Sequence, residues 1–247
     1  ENKIKWENEN DLFYKFIEKH KPISAVGKIK LANYNYNTKN EKQIILDNWQ
    51  FNNFSEEDEK YINQNYKNLF NTKLKNKRLD YLIWNKKWSS AYRQLKEVDN
   101  DYKNLFKARI KLARRDYGVD RAINNIPEYL INDEGLIFER VKWRRKAKLN
   151  SSYELLDDYL NNSKELSFKN KWWMEIILHS RKLLNEKKYI ESYNLLSKHK
   201  QSSSYNLSTA EWLLGWISLT KLSNPKQALQ HFLKAEKVVS MPISVAR

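Results

Sequence analysis

Cysteine is absent from this sequence, and glycine and proline are scarce. The 247 residues include no Cys, four Gly and four Pro. Without Cys the chain has no disulfide, no thiolate nucleophile and no cysteine zinc site. Sandwiches and barrels need turn residues every few positions, whereas helices joined by short polar turns do not. The composition therefore argues against an all-β fold and favours helices.

Long apolar runs are missing as well. No run approaches the roughly 20 apolar residues that cross a bilayer, so we expect no membrane span. No secretory signal peptide is recognisable. The chain begins with Glu1 instead of Met, so we expect the natural N-terminus to have been removed or left out. The missing signal therefore gives no evidence about the compartment.

Acidic residues are outnumbered by basic ones. The 46 Lys and Arg stand against 30 Asp and Glu, which gives a net charge of +16 and a pI of about 9.6. A basic protein attracts polyanions such as nucleic acid, anionic lipid or acidic cell-wall polymer. The sequence is rich in Lys, Asn and Ile throughout, so much of the Lys can also lie on solvated faces. Charge alone leaves both interpretations open.

Hydrophobic spacing is helical along most of the chain, and a weak repeat underlies it. In five segments a small residue precedes a large apolar residue by one helical turn, at intervals of 30 to 40 residues. The pairs are Ala91 with Leu95, Ala122 with Ile126 in a looser copy, Ser152 with Leu156, Ser192 with Leu196, and Ala228 with Phe232. Such periods suit antiparallel helix pairs in which the small residue permits close approach.

The repeat sets the predicted architecture. We predict an all-α fold, an α-α superhelix or helix-hairpin solenoid of tetratricopeptide-like type. No Pro/Gly/Ser-rich linker or break in composition divides the chain, so we expect a single domain over residues 1–247. Polar residues 33–40 predict a loop between helices.

Local signals mark individual helix ends. Ser208 and Glu211 match the S-x-x-E capping box and predict a helix start. Asn224 before Pro225 predicts another start, with Asn as the cap. Gly118 follows two Arg residues and predicts a C-terminal helix end.

The nine Trp and fifteen Tyr can stack on sugars or bases, or they can fill a helical core. We favour core packing. Trp84 and Trp88 are one turn apart and are expected on one packed helix face. Trp172 and Trp173 are adjacent and point about 100° apart on a helix, so we expect one of them to be exposed.

Residues with catalytic patterns are hard to find. The four His have no metal-ligand spacing, and there is neither a Gly-rich phosphate loop nor a G-x-S-x-G elbow. The acidic run at 56–59 follows Ser55, a predicted N-cap, and is expected to complement the helix dipole instead of acting on a glycosidic bond. We predict no catalytic residue, no cofactor and no metal.

One basic cluster surrounds an aromatic residue between positions 140 and 148. Its candidate ligand-contacting residues are Arg140, Trp143, Arg144 and Arg145. A cation patch beside an aromatic ring can bind an anionic polymer or a carbohydrate. The alternative is a solvated face whose long side chains cover apolar surface.

Several segments form an ordered pattern along most of the chain. They cover 16–32, 54–57, 78–84, 138–145, 210–219, 225–232 and 239–247, and the strongest reads AEWLLGWI at 210–217. In this order and spacing they resemble the superhelical region of soluble lytic murein transglycosylases, particularly those of alphaproteobacteria. The Lys- and Asn-rich composition departs from the Arg- and Ala-rich habit of that family.

The resemblance implies a periplasmic α-superhelix, often curled into a ring, that precedes a C-terminal lysozyme-like domain. That domain cleaves the β-1,4 bond between N-acetylmuramic acid and N-acetylglucosamine with one Glu, in an E-S pair followed by a Gly-rich stretch. Glu191 and Ser192 form such a pair, but they lie in a repeat helix with no Gly-rich stretch after them. We therefore expect a fragment, truncated at both ends, without the catalytic domain.

Three functions remain in competition. The first is a scaffold that positions peptidoglycan glycan strands for the catalytic domain of the same parent chain. The second is a stand-alone helical-repeat module that binds another protein. The third, RNA binding, is motivated only by charge, and we expect no nucleic-acid partner.

Overall fold

The computed structural model describes residue 15, residues 19–34 and residues 39–239. All regular structure in this part of the chain is helical, which confirms the all-α class. The α-helices are α1 Ala25–Tyr34, α2 Lys39–Gln50, α3 Glu56–Tyr66, α4 Thr72–Trp84, α5 Trp88–Gln94, α6 Asn100–Arg114, α7 Val119–Asn124, α8 Glu134–Lys146, α9 Ser151–Asn162, α10 Lys169–Asn185, α11 Tyr189–Leu196, α12 Ser204–Thr220 and α13 Pro225–Glu236. None of these helices is long and apolar enough to cross a membrane.

Parts of two sequence predictions lie outside the described residues. These are positions 16–18 and 240–247 of the ordered segments, and 35–38 of the predicted loop. The remainder of that loop is helical, because α1 extends to Tyr34 and α2 begins at Lys39.

The chain divides into two compact units, the first ending at Ile131 and the second beginning at Asn132. Each unit has its own buried apolar side chains. A single domain over residues 1–247 stays a prediction, because compact units of this kind occur both in separate domains and along one helical array.

The first unit packs around aromatic and buried basic side chains. The rings of Trp49 and Phe70 stack with their centroids 3.9 Å apart. Arg78 is fully buried, with its guanidinium over the rings of Trp49 and Phe54 at 4.9 and 5.2 Å. A charge at that depth needs a counter-charge, and Glu59 supplies it at 2.9 Å.

Up to residue 239, the second unit consists of three helix pairs along the chain: α8 with α9, α10 with α11, and α12 with α13. Small residues lie where paired helices meet. Ser152 donates to the carbonyl of Val141 at 2.8 Å, and Ser192 donates to the carbonyl of Ser180 at 3.0 Å. These hydroxyls hold one helix against the backbone of its partner.

The predicted small residues are buried at four of the five positions. Ala91, Ser152, Ser192 and Ala228 are at most 2% exposed, whereas Ala122 is only half-buried. The looser fifth copy therefore does not form the same close helix contact. Elsewhere the repeat identifies where the helices approach.

Several helix starts are capped by side chains. Ser55 accepts from the amide of Asp58, and Asn224 accepts from that of Gln227, both at 3.1 Å, which confirms both predicted caps. The predicted capping box at Ser208 is wrong. Helix α12 begins four residues earlier, and Ser208 donates to the carbonyl of Tyr205 inside it.

Four helices are followed, within two residues of their last position, by a Lys or Arg in the left-handed region. These residues are Lys86, Arg115, Lys148 and Lys187, with φ of 57° to 63°. The next amide after each donates to the carbonyl five residues back, at 2.8–3.0 Å. Left-handed backbone costs a non-Gly residue about 1–2 kcal/mol. A cation at a helix C-terminus recovers only about 0.3–1 kcal/mol of that.

Two predictions about helix ends and aromatics are corrected. Gly118 has φ of 75° but precedes α7 instead of ending α6, which ends at Arg114 and is capped by Arg115. Trp84 ends α4 and Trp88 begins α5, so they do not share a helix face.

Trp172 and Trp173 are both buried, at 0% and 4% exposure, although we expected one to be exposed. Helix α10 has neighbours on two sides. Trp172 stacks on Tyr159 at 5.0 Å, and Trp173 meets the ring of His199 edge-on at 6.0 Å. A helix packed on two sides buries adjacent residues.

Candidate functional site

The four candidate residues of α8 divide into two groups by the direction they face. Arg140, Trp143 and Arg144 lie at i, i+3 and i+4 and share one face of the helix. Arg145 points about 100° away from Arg144. All four are half-buried.

Arg145 is committed to an internal ion pair. Its Nε and Nη2 donate to the two carboxylate oxygens of Glu175 at 2.6 and 2.8 Å. Glu175 is 4% exposed, and this bidentate bond raises the pKa of Arg145. The pair joins α8 to α10 and stabilises the second unit, so Arg145 is not available to a ligand.

Arg140 and Arg144 form the part of the cluster that can bind an anion. Arg144 donates one bond, from Nη1 to the carbonyl of Ser151 at 3.2 Å. Arg140 makes no hydrogen bond or ion pair among the described residues. Its half-burial lowers its pKa, and the charge of Arg144 lowers it further. Two guanidinium groups one helical turn apart favour an anion between them.

Trp143 adds a half-buried aromatic ring to that face. A sugar can pack its apolar side on an indole while its carboxylate contacts a guanidinium. The face therefore suits an acidic carbohydrate better than a simple ion, which would leave the ring unused.

A buried polar network in the second unit was missed by the sequence analysis. Glu211, 7% exposed, accepts from Nδ1 of His231 at 2.5 Å. Nε2 of His231 accepts from the hydroxyl of Tyr193 at 2.8 Å, and Gln227 donates to that hydroxyl at 2.8 Å. The network joins α11, α12 and α13. Glu211 was assigned to a cap because its true partner lies 20 residues away.

His199 approaches the same carboxylate, with its Nε2 3.7 Å from Glu211. The amide of Gln201 donates to Nδ1 of His199 at 2.9 Å, so the ring proton lies on Nε2 in the neutral form. Burial lowers the pKa of His199. Among the described residues, no group of three His, Cys, Asp or Glu is placed to hold a metal ion. His199 and His231 therefore flank one buried carboxylate.

Ser152 and His179 form a hydrogen-bonded pair at 2.8 Å, which has the distance of a nucleophile and its base. His179 Nδ1 lies 2.8 Å from the carbonyl of Glu175 and donates to it, so Nε2 is an acceptor in the neutral ring. The single hydroxyl proton of Ser152 is shared between this Nε2 and the carbonyl of Val141, each 2.8 Å away. Burial lowers the pKa of His179. Both side chains are at most 3% exposed, so no substrate reaches them. The pair holds α9 to α10.

Carboxylates singled out in the sequence also have structural roles. In the run at 56–59, Glu59 is 4% exposed and pairs with both Arg78 and Arg93, beyond the predicted dipole complementation. Ser192 is the serine of the E-S pair that has no Gly-rich stretch after it, and it is fully buried in α11.

A polar cleft of about 430 Å³ opens at the N-terminal ends of α10 and α12. Its lining residues include Ser167, Lys169, Lys171, Gln201 and Ser203. Gln201 is held by the carbonyls of Lys169 and His199 at 2.9 and 3.0 Å. Ser167 in the lining donates from its amide and its hydroxyl to the carboxylate of Glu134 at 2.9 and 2.6 Å.

Comparison with known proteins gives no match: no family model, curated protein or solved structure is similar to this chain at a significant level.

Proposed function

We propose that this chain is the superhelical scaffold of a periplasmic peptidoglycan lytic transglycosylase. In this role it positions glycan strands while a catalytic domain outside the chain cleaves the β-1,4 bond between N-acetylmuramic acid and N-acetylglucosamine. The ordered sequence resemblance motivates the family. The observation that carries the binding role is Arg140, which has no hydrogen-bond or ion-pair partner among the described residues and shares a helix face with Arg144 and Trp143.

Successive helix pairs support this proposal. The second unit is three pairs in sequence, with buried small residues at the helix contacts. Arrays of such pairs form extended surfaces along which a polymer can lie. The net charge of +16 favours a polymer that carries carboxylates, and peptidoglycan stem peptides carry them.

Co-sedimentation with purified sacculi tests the proposal. We expect the wild-type chain to pellet at about 20 mM salt and to be released at about 500 mM, because screening shortens the reach of the charges. Arg140→Gln with Arg144→Gln should weaken binding about tenfold, since each charged hydrogen bond is worth about 1.5–3 kcal/mol and Gln keeps part of it.

The control is Lys60→Gln with Lys73→Gln, two exposed residues of the first unit, which removes the same charge. We expect it to bind within about twofold of wild type. A wild-type chain that stays in the supernatant at low salt would overturn the proposal.

A second function has one observation in its favour. The last described helix pair leaves four large apolar side chains 41–58% exposed: Trp212, Leu219, Leu229 and Leu233. Exposed apolar surface of this kind is typical of protein interfaces. Recovery of one stoichiometric protein partner, without binding to sacculi, would favour a protein-interaction module.

A further inference from the structure

The three helix-pair turns of the second unit lie side by side along one edge. They join α8 to α9, α10 to α11, and α12 to α13. Lys182 near the end of α10 donates to Asn150 in the first turn at 3.2 Å. The ammonium of Lys221 in the third turn lies 5.5 Å from the ring of Tyr189, which follows the second turn. We call segments 143–154, 182–192 and 217–228 the turn edge.

The turn edge is strongly basic. Its three segments contain nine Lys and Arg against three Glu, and within the described part of the chain only Arg145 of the nine is committed to a buried carboxylate, that of Glu175. One of those Glu residues, Glu186, already lies 2.8 Å from Lys188 and 3.7 Å from Lys182. The opposite ends of the same helices, segments 132–137, 158–172, 195–208 and 233–239, contain seven basic and five acidic residues. The excess of positive charge is therefore concentrated at one end of the unit.

Helix dipoles do not account for this excess. Lys148 and Lys187 have positive φ, where Gly or Asn is the easier residue. The free energy that a cation gains from the helix dipole is no larger than the free-energy cost of left-handed backbone. Lys226 lies in the first turn of α13, where the dipole disfavours a cation. All three side chains are exposed and have no partner among the described residues.

Aromatic rings accompany the charges. Lys221 lies between Tyr189 and Trp216, 5.5 and 5.3 Å from their centroids. Both rings are half-buried and present part of their surface at the edge. Cations beside accessible rings match a polymer that alternates carboxylates with sugars.

We infer that the turn edge is a contact surface for carboxylate-bearing glycan strands. The inference rests on the proposed function, because it assigns the strand to a definite edge. The turn edge includes Arg144, which shares one face of α8 with Arg140 and Trp143. It extends the contact with the strand across two further helix pairs. The groups of the glycan strand that the turn edge contacts are its carboxylates.

The test compares two triple variants that change the net charge equally. The first triple variant alters the turn edge and combines Lys148→Glu, Lys187→Glu and Lys226→Glu. The second triple variant alters exposed positions at the opposite ends of the helices and combines Lys164→Glu, Lys169→Glu and Lys237→Glu. We expect the first variant to lose at least tenfold in affinity for sacculi at low salt and the second to stay within about twofold, with both keeping the wild-type circular dichroism spectrum.

A second arm uses sacculi whose carboxylates have been amidated with carbodiimide and ammonia. We expect wild-type binding to fall at least tenfold on this material. Undiminished binding to it would overturn the carboxylate assignment, and a preference for single-stranded RNA over untreated sacculi would overturn the glycan partner.

The two levels of the proposal fail differently. Wild type that does not pellet at low salt removes the proposed function and this inference together. Wild type that pellets, with both triple variants equally weakened, removes the turn edge alone and leaves the scaffold function standing.

Discussion

Replacing Glu59 with Gln should destabilise the first unit by about 3 kcal/mol. Glu59 and Arg78 are 4% and 0% exposed, and their charged groups are 2.9 Å apart. Arg78 also donates to the carbonyls of Trp49 and Asn52, but carbonyls carry no net charge. Breaking a buried pair by removing one partner costs about 3–5 kcal/mol. Gln keeps one acceptor oxygen, so we expect the lower end.

Urea unfolding followed by far-UV circular dichroism measures this loss. With a slope of about 3 kcal/mol per molar urea, the midpoint should fall by about 1 M. Glu57→Gln is the matched control, because Glu57 is exposed in the first turn of the same helix. It should change stability by less than about 0.5 kcal/mol.

A double variant, Glu59→Leu with Arg78→Met, separates charge from packing. It removes both buried charges, so we expect it to recover most of what Glu59→Gln loses. Arg93, 30% exposed at its side chain, can turn to water. A midpoint for Glu59→Gln within error of wild type, at unchanged slope, would refute the reasoning. So would a double variant less stable than Glu59→Gln.

Three further predictions concern packing, pH and the α8 ion pair. Ala91→Leu should lower the free energy of unfolding by about 1–3 kcal/mol, because residue 91 is fully buried between helices. Ala122→Leu, at the half-buried copy of the repeat, should lower it by less than about 0.5 kcal/mol. Thermal melts of the two variants test this difference. Burial lowers the pKa of His179 and His199 from 6.5, so the unfolded chain binds more protons. Stability should be full above pH 6.5 and fall as the pH drops below it, as urea midpoints from pH 7.5 to 5 will show, and a midpoint that rises on acidification contradicts this. Arg145→Lys should lower stability by about 1 kcal/mol, since Lys cannot make both bonds to Glu175, and a calorimetric melt unchanged from wild type would contradict it.

The fold class was predictable because it depends on local properties. Few turn residues, helical spacing and caps such as Asn224 all act within a few residues, and the structure confirms them. The small residues at 91, 152, 192 and 228 were also predictable, because close helix approach leaves no room for a larger side chain.

Two of the failures share a physical cause, which is competition from distant partners. Glu211 has the spacing of a capping residue, but its carboxylate pairs with His231, 20 residues away. Arg145 looked equivalent to Arg144 in the sequence, yet Glu175, 30 residues on, binds it. No local pattern reports which of several adjacent cations finds a buried carboxylate. The sequence could therefore group these cations, but it could not show which of them is bound internally.

The Glu211 network has a consequence for how the second unit opens. In an array of helix pairs the end pair can usually fray without disturbing its neighbour. Here Tyr193 of α11 is bonded to His231 of α13, which is bonded to Glu211 of α12. Detaching α12 and α13 would leave the hydroxyl of Tyr193 without its acceptor, His231. Opening that helix pair therefore also destabilises α11. Amide protons of α11 should therefore exchange with solvent together with those of α12 and α13, as one cooperative segment.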